Sequence, residues 1–416
     1  MANTYLTRTV SSSSNRRTWT WSGWIKRGAI TGNQSLFTSR SDGSNYSTIR
    51  LEPDRFHIFD LVSSSFNYQV KTNRKLRDVN GWYHLVVAFD TTQSTASNRV
   101  KLYVNGEQET SLAESSYPAQ DYEGFINRNR DHYIGQGGNN GDNFDGIMSH
   151  INFVDGAALT PSSFGETDST TGEWKIKTAP NVTYGTEGFF ILKDGNSVTD
   201  QSGNGNNWTV GGGTLTNTQD NPSNIFCTLN PLAVGSSAPT FSKGNNRVVA
   251  NATSYQFSCG TIAVPLTGKW YWEVKANDNV NGSSTEYLIG AVLESRLQAS
   301  SNYGEFAADG ITQYGSVGTG IGQNDIIGVS VDRTAATLKI YKNNSLIVTK
   351  TSLPAELIYP MVTVYGSVGA DANFGNGYFG GTAISSAGTN ASNNGIFEYD
   401  VIPSDANALS TKGLNL

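Results

Sequence analysis

Glu107 and Glu109 are the nearest approach to a catalytic pair in this sequence. Cleavage of a glycosidic bond needs two carboxyl groups facing the bond, one of them with a raised pKa. Alternation puts both glutamates on one strand face, but they follow the hairpin signal Asn105-Gly106 and have no apolar surround, as a solvated hairpin arm would. Glu273 stands alone on its strand, and Glu305 and Asp309 fall in loop-like sequence. His57, His84, His132 and His150 are scattered, with none at metal-ligand spacing from another histidine or cysteine. His84, inside an aromatic strand, reads as a satisfied core histidine. No Gly-x-Ser-x-Gly elbow precedes a helix, and Gly315 to Gly322 (GSVGTGIG) lacks the lysine and helix of a phosphate cradle. The chain is expected not to be an enzyme.

Two loops carry binding chemistry instead. Asp42-Gly43-Ser44-Asn45-Tyr46 and the run from Gly137 to Asp145 (GGNNGDNFD) combine amides and carboxylates with an aromatic ring. That combination suits sugar hydroxyls and a sugar face. Asp42, Asn45, Tyr46, Asn139, Asn140, Asp142 and Asn143 are the candidate ligand-binding residues. Asp142 and Asp145 are hard oxygen donors that suit Ca²⁺, and no other cofactor is expected. The same residue types also dominate ordinary turns, which is the alternative reading.

The elements that must hold these loops are strands. Thr18 to Lys26 places Trp19, Trp21 and Gly23 on one face and Thr20, Ser22 and Trp24 on the other. Gly81 to Asp90 is apolar on both faces, as a central strand between layers would be. Val100 to Val104 alternates and ends in Asn-Gly, which predicts a type I′ hairpin. In the second half Trp270, Trp272 and Val274 oppose Tyr271, Glu273 and Lys275, and Asp325 to Asp332 and Thr337 to Lys342 form a further pair. No segment sustains a helical period, so the fold class is all-β, with two β-sandwich (jelly-roll) domains in tandem. The turn-rich stretch Asp200 to Pro222 reads as the join, with Trp208 as its one residue that ought to pack. The predicted domains are 1–199, a linker 200–222, 223–380, and a loop and tail 381–416 in which Phe397 and Tyr399 are available to dock.

A chain of 416 residues suits two or three domains. Only 15% of it is charged, while 45 residues are glycine, the composition of a turn-dense β protein. The net charge of −6 provides no field to attract nucleic acid. Two basic clusters, Arg16, Arg17, Lys26 and Arg27, then Lys71, Arg74, Lys75 and Arg77, read as solvated faces. Cys227 and Cys259 are too few for a disulfide scaffold and read as small buried groups. No apolar window approaches a signal peptide or a membrane span, so the chain is expected to be made in the cytoplasm and not inserted in a membrane.

The motifs Trp21-Ser22-Gly23-Trp24-Ile25-Lys26-Arg27, Gly81-Trp82-Tyr83-His84-Leu85, Val100 to Gly106, Phe144-Asp145-Gly146 and Leu159-Thr160-Pro161 resemble a laminin-G-like, concanavalin A-type jelly roll. The second half resembles a SPRY domain through Gly268-Lys269-Trp270-Tyr271-Trp272-Glu273-Val274, Ile289-Gly290, Asp325 to Val329, Tyr359-Pro360 and Asn373-Phe374-Gly375. The join DQSGNGNNWT and the ending Gly395-Ile396-Phe397-Glu398-Tyr399 are similar to multidomain virion proteins of marine bacteriophages, of tail fibre or capsid appendage type. These resemblances imply a virion location and a binding role, with other virion proteins and a host surface glycan or protein as partners. The alternatives are a decoration protein that binds only virion components, and a polysaccharide depolymerase. No heptad or collagen-like repeat demands a trimer, and a homo-oligomer stays among the partners left open.

Overall fold

The computed structural model describes residues 4–193, 195, 197–235, 237–278, 287–297, 313–314, 320–384, 388–389, 394–399 and 405–414. It divides into two compact units, Met1–Thr216 and Asn217–Leu416. Glu305, Asp309 and the start of the GSVGTGIG run lie outside the described residues.

The first unit is built from β1 (Tyr5–Thr9), β2 (Thr18–Arg27), β3 (Gln34–Asp42), β4 (Asn45–Leu51), β5 (Arg55–Val62), β6 (Ser65–Lys75), β7 (Trp82–Asp90) and β8 (Val100–Val104). There follow β9 (Glu107–Gln108), β10 (Leu112–Ser116), β11 (Asp131–Ile134), β12 (Gly146–Asp155), β13 (Gly165–Thr167), β14 (Trp174–Ile176), β15 (Phe189–Ile191) and β16 (Thr209–Gly212). One sheet runs β10-β6-β5-β4-β3-β11-β1-β16 and the other β15-β12-β2-β7-β8-β9. Trp19, Trp21, Leu85 and Val87 of the second sheet meet Phe37, Ile49, Phe56 and Ile58 of the first in one core. Alternation dictates this, because each strand turns every second side chain inward. The turn after β8 has φ of +49° at Asn105 and +85° at Gly106, the positive pair a type I′ hairpin requires.

Residues 200–222, read as a linker, are built into the units instead. β16 pairs antiparallel with β1, and Trp208 lies in the first core beside Phe37 and Phe189. Asp200 accepts the Phe190 and Ser202 N–H groups, and the Asn204 and Asn206 amides both donate to the Gly188 carbonyl. The turn-forming residues that suggested a linker thus stitch residues 200–206 to the first unit. Lys26 and Arg27, read as solvated, are buried at 2% and 1% exposure. Arg27 donates to the Leu76 and Pro53 carbonyls, which substitute for water around its guanidinium.

The second unit begins with β17 (Leu229–Val234), β18 (Thr240–Ser242), β19 (Arg247–Val249), β20 (Gln256–Gly260), β21 (Lys269–Ala276), β22 (Tyr287–Leu293), β23 (Gln313–Tyr314) and β24 (Ile326–Asp332). It continues through β25 (Thr337–Lys342), β26 (Ser345–Lys350), β27 (Ile358–Val364), β28 (Gly369–Asn373), β29 (Tyr378–Phe379), β30 (Thr382–Ala383), β31 (Gly388–Thr389), β32 (Ile396–Phe397) and β33 (Asn407–Ala408), with the short α1 (Thr411–Leu414) last. Its sheets run β17-β20-β27-β22-β23 and β18-β19-β28-β21-β24-β25-β26. Trp270, Trp272 and Val274 enter the core, as alternation predicts. Tyr271 and Glu273 on the opposite face are buried as well. The segment read as a tail causes this: β33 pairs parallel with β21, and Phe397 packs edge-on against Tyr271.

Candidate binding surface

The two candidate loops meet. The hairpin between β3 and β4 places Asp42, Gly43 and Asn45 at its tip, and the loop after β11 folds back along it. A Cβ on Gly43 would lie 4.0 Å from the Asn139 Cα, and one on Gly138 would stand 2.4 Å from the Tyr46 ring. Only a glycine lets the backbone lie this close to the ring. The same contact corrects the expectation for Tyr46. Its face is covered by the loop and it is only 9% exposed, so it is a loop anchor and not a stacking platform.

Asp42 and Asn45 are largely engaged in turn chemistry. Asp42 accepts the Ser44 N–H at 2.8 Å and the Asn45 amide at 3.0 and 3.1 Å, which holds its carboxyl below the usual range. Asn45 accepts the Ser63 N–H. In the facing loop the Gly137 N–H donates to the Gly141 carbonyl at 2.8 Å, and the Asn139 side chain accepts the Gly141 N–H at 3.0 Å. Asn140 and Asp142 take left-handed φ of +62° and +52°, which turns the chain sharply between them. Asn139 and Asn140 are exposed, and Asn143 is half-buried.

Below the loop lies a charged network that the sequence does not announce. Tyr46, Thr48 and Arg50 alternate on the outer face of β4, and His57 and Phe59 do so on β5 beside them. Arg50 pairs with Glu52 and, at 3.4 Å, with Asp142. Its guanidinium also lies 4.5 Å from the centre of the Phe59 ring. His57 Nδ1 is 2.8 Å from Glu52, and Lys71 reaches Glu52 and Glu114 at 3.5 and 3.6 Å. The bond from His57, with Arg50 behind it, holds Glu52 well below the carboxylate range, while burial lowers His57 and raises Asp142. Arg40 lies 3.9 Å over the Tyr133 ring and donates to the Gly137 carbonyl, tying the loop to β3.

The two expected calcium donors have other engagements. Asp142 is spent on Arg50, and Asp145, raised by burial, lies against Gly28, whose N–H donates to the Asp145 carbonyl. Among the described residues no three His, Cys, Asp or Glu side chains form a metal-holding group. Glu107 and Glu109 both pair with Arg74 at 2.8 Å; Glu107 is exposed, but Glu109, read as part of a solvated hairpin arm, is buried, and burial raises its carboxyl. His84 Nδ1 accepts the Trp174 indole N–H at 3.1 Å, which leaves Nε2 as donor to Ser22 at 2.9 Å. Burial lowers this imidazole to about 3. The Ser22–His84 pair is fully buried and cannot meet a substrate. His132 accepts the Asn127 N–H, and burial lowers it to about 4.

Arg40, Arg50, Glu52 and Tyr133 escaped sequence reasoning, which met His57 only as one of four scattered histidines. The signal was present in the alternation of Tyr46, Thr48 and Arg50, a polar face on a strand whose other face enters the core. Nothing local said that a loop ninety residues downstream would fold over it.

Residues 2–163 match the Laminin_G_3 family model, the concanavalin A-like lectin/glucanases superfamily. No curated protein matches the chain. Among solved structures it is similar to the SPRY domain of human HERC1 (15% identity, 35% of this chain and 96% of that one, TM-score 0.27). It is similar to domain 4 of the GH43 extracellular arabinanase AbnA from Geobacillus stearothermophilus, solved with arabinotriose (21%, 36% and 65%, 0.28). It is also similar to domains LG4-5 of the mouse laminin alpha1 chain (10%, 88% and 84%, 0.30). The chain is an all-β protein of tandem sandwiches, the first of which has the lectin-like, laminin G-type fold.

Proposed function

We propose that this chain is a non-enzymatic virion protein that binds a host surface glycan or protein through the rim formed by residues 42–45 and 137–143. The carrying observation is the seating of Gly138 on the Tyr46 ring, which merges two polar loops into one surface offering Asn139 and Asn140 to solvent. Amides fixed by a rigid sheet suit sugar hydroxyls, because each presents a donor and an acceptor. The non-enzymatic reading is supported by Arg74, which pairs with both Glu107 and Glu109, and it stands against the raised carboxyl of Glu109. The virion assignment rests on the likeness of the join and the ending to phage virion proteins.

The test is retention of the full chain on host envelope polysaccharide, with Asn139→Ala/Asn140→Ala as comparison. Retention by the wild type and its loss in the variant support the reading. Equal behaviour of the two removes the rim from it, and release of reducing ends would establish a depolymerase. A second reading, a decoration protein that binds other virion components, is favoured by β26. This edge strand exposes Leu346 at 52% and Ile347 at 40%, an edge suited to another protein chain. Cross-linking within assembled virions separates the two: links from β26 to another virion protein, without glycan retention, favour decoration.

A further inference from the structure

Glu273 is a buried carboxyl group with hydrogen bonds and, among the described residues, no counter-ion. Its Oε2 accepts the Glu398 N–H at 2.9 Å and the Asn373 amide at 3.3 Å. Its Oε1 accepts the Tyr399 N–H at 3.1 Å and the Tyr271 hydroxyl at 3.2 Å. Two of these four donors belong to the C-terminal strap, residues 394–399 and 405–410. The strap is also held by Phe397, which joins Tyr271, Phe226, Ala406 and Ala408 in a small apolar cluster, and by β33 on the edge of β21. Asn373 clamps the strap from β28, donating to the Ile396 carbonyl at 2.9 Å.

Among the described residues no cation pairs with Glu273. Its own strand supplies Tyr271, and Lys275 lies further along opposite Asp371. From β25 comes Tyr341, from the strap come Tyr399 and Glu398, and Asp325 before β24 is neutralised by Lys342 at 2.8 Å. Opposite Glu273, β24 presents Gly328, which has no side chain. Closing the strap takes water from a carboxylate and pairs it with no cation among the described residues, and this burial outweighs the four donors, which by themselves favour the ionised form.

We propose that Glu273 is a proton-operated latch, with the strap closed tightly over the protonated acid and loosened when the proton leaves to solvent. The Tyr271 hydroxyl, a donor to Oε1 while the acid is ionised, turns to accept the acid proton once it is protonated, and both strap N–H groups keep their acceptors. Burial raises this carboxyl from 4.5 to about 7 in the closed state. A group raised on closing stabilises closure fully below its open-state pKa and loses that contribution as the pH rises through its closed-state pKa.

Hydrogen exchange of the strap amides in the full chain, corrected for the intrinsic pH dependence of exchange, tests this. Protection of residues 396–399 and 407–410 should fall on the order of 100-fold between about pH 5 and 8. In Glu273→Gln, which has no proton to lose in this range, protection should not change with pH, although its amide nitrogen cannot accept one of the two strap N–H groups and overall protection is expected to be lower. Protection independent of pH in the wild type, or an unchanged response in Glu273→Gln, overturns the latch. Should that variant not fold, an infrared pH difference spectrum of the wild type decides. A protonated-carboxyl band lost together with strap protection supports the latch, and its absence at about pH 5 overturns it.

Discussion

The two large sheets expose their outer faces to different fates. In the first unit the outer face of β3, β4 and β5 is roofed by a loop of its own sandwich, whose amides still reach water at Asn139 and Asn140. In the second, the outer face of β21 is sealed by the C-terminal strap, and its only acid becomes a buried hub. Charges are also settled differently. Arg50, Glu52, Lys71 and Asp142 neutralise one another, whereas Glu273 has dipoles alone. Similar strand patterns thus yield a surface in one unit and an interior in the other, according to what returns to cover them.

The sharpest way to break this contrast is to cut the chain. Fragments 1–216 and 217–416 should each fold, while 1–199, which lacks β16 and Trp208, should not give a cooperative melt by circular dichroism. A folded 1–199 would return the join to the status of linker. Next in size, Phe397→Ala should destabilise the second unit by about 3–5 kcal/mol and leave the first unchanged, measured by hydrogen exchange in the full chain.

The units should also answer pH in opposite directions. His84 and His132, lowered by burial to about 3 and about 4, both belong to the first unit. Their depressed values contribute stability above the ordinary histidine pKa of 6.5, lost as the pH falls through the folded values. Acidification from about pH 7 to 4.5 should therefore cost the first unit several kcal/mol while the strap of the second tightens. Parallel responses, read by site-resolved exchange, would erase the distinction. The smallest effect on stability is expected for Gly138→Ala, whose methyl group meets the Tyr46 ring. It should shift the loop and weaken glycan retention at least tenfold, at about 1–3 kcal/mol in stability. Unchanged retention would detach the loop from binding.

The strand pattern was legible to the extent that it is local. Trp19, Trp21, Trp270 and Trp272 alternate into cores as read, and Asn105-Gly106 makes its predicted turn. Residue types singled out both candidate loops, but that they meet at one rim, with Tyr46 as the anchor beneath, is visible only in the fold. Asp200 to Pro222 misled because Asn, Asp, Ser and Gly look the same whether they bond water or the neighbouring strand. Here they bond Phe190 and Gly188.

What the sequence by itself determined was the all-β class, the Trp-centred cores and the two halves, since period-two alternation and turn residues act over a few neighbours. The tertiary structure alone decided which outer faces would be covered. Arg50 meets Asp142 across 92 residues and Glu273 meets Glu398 across 125. Alternation says only that a strand has two faces, and the roof of each is supplied by a remote segment through contacts that no local period encodes.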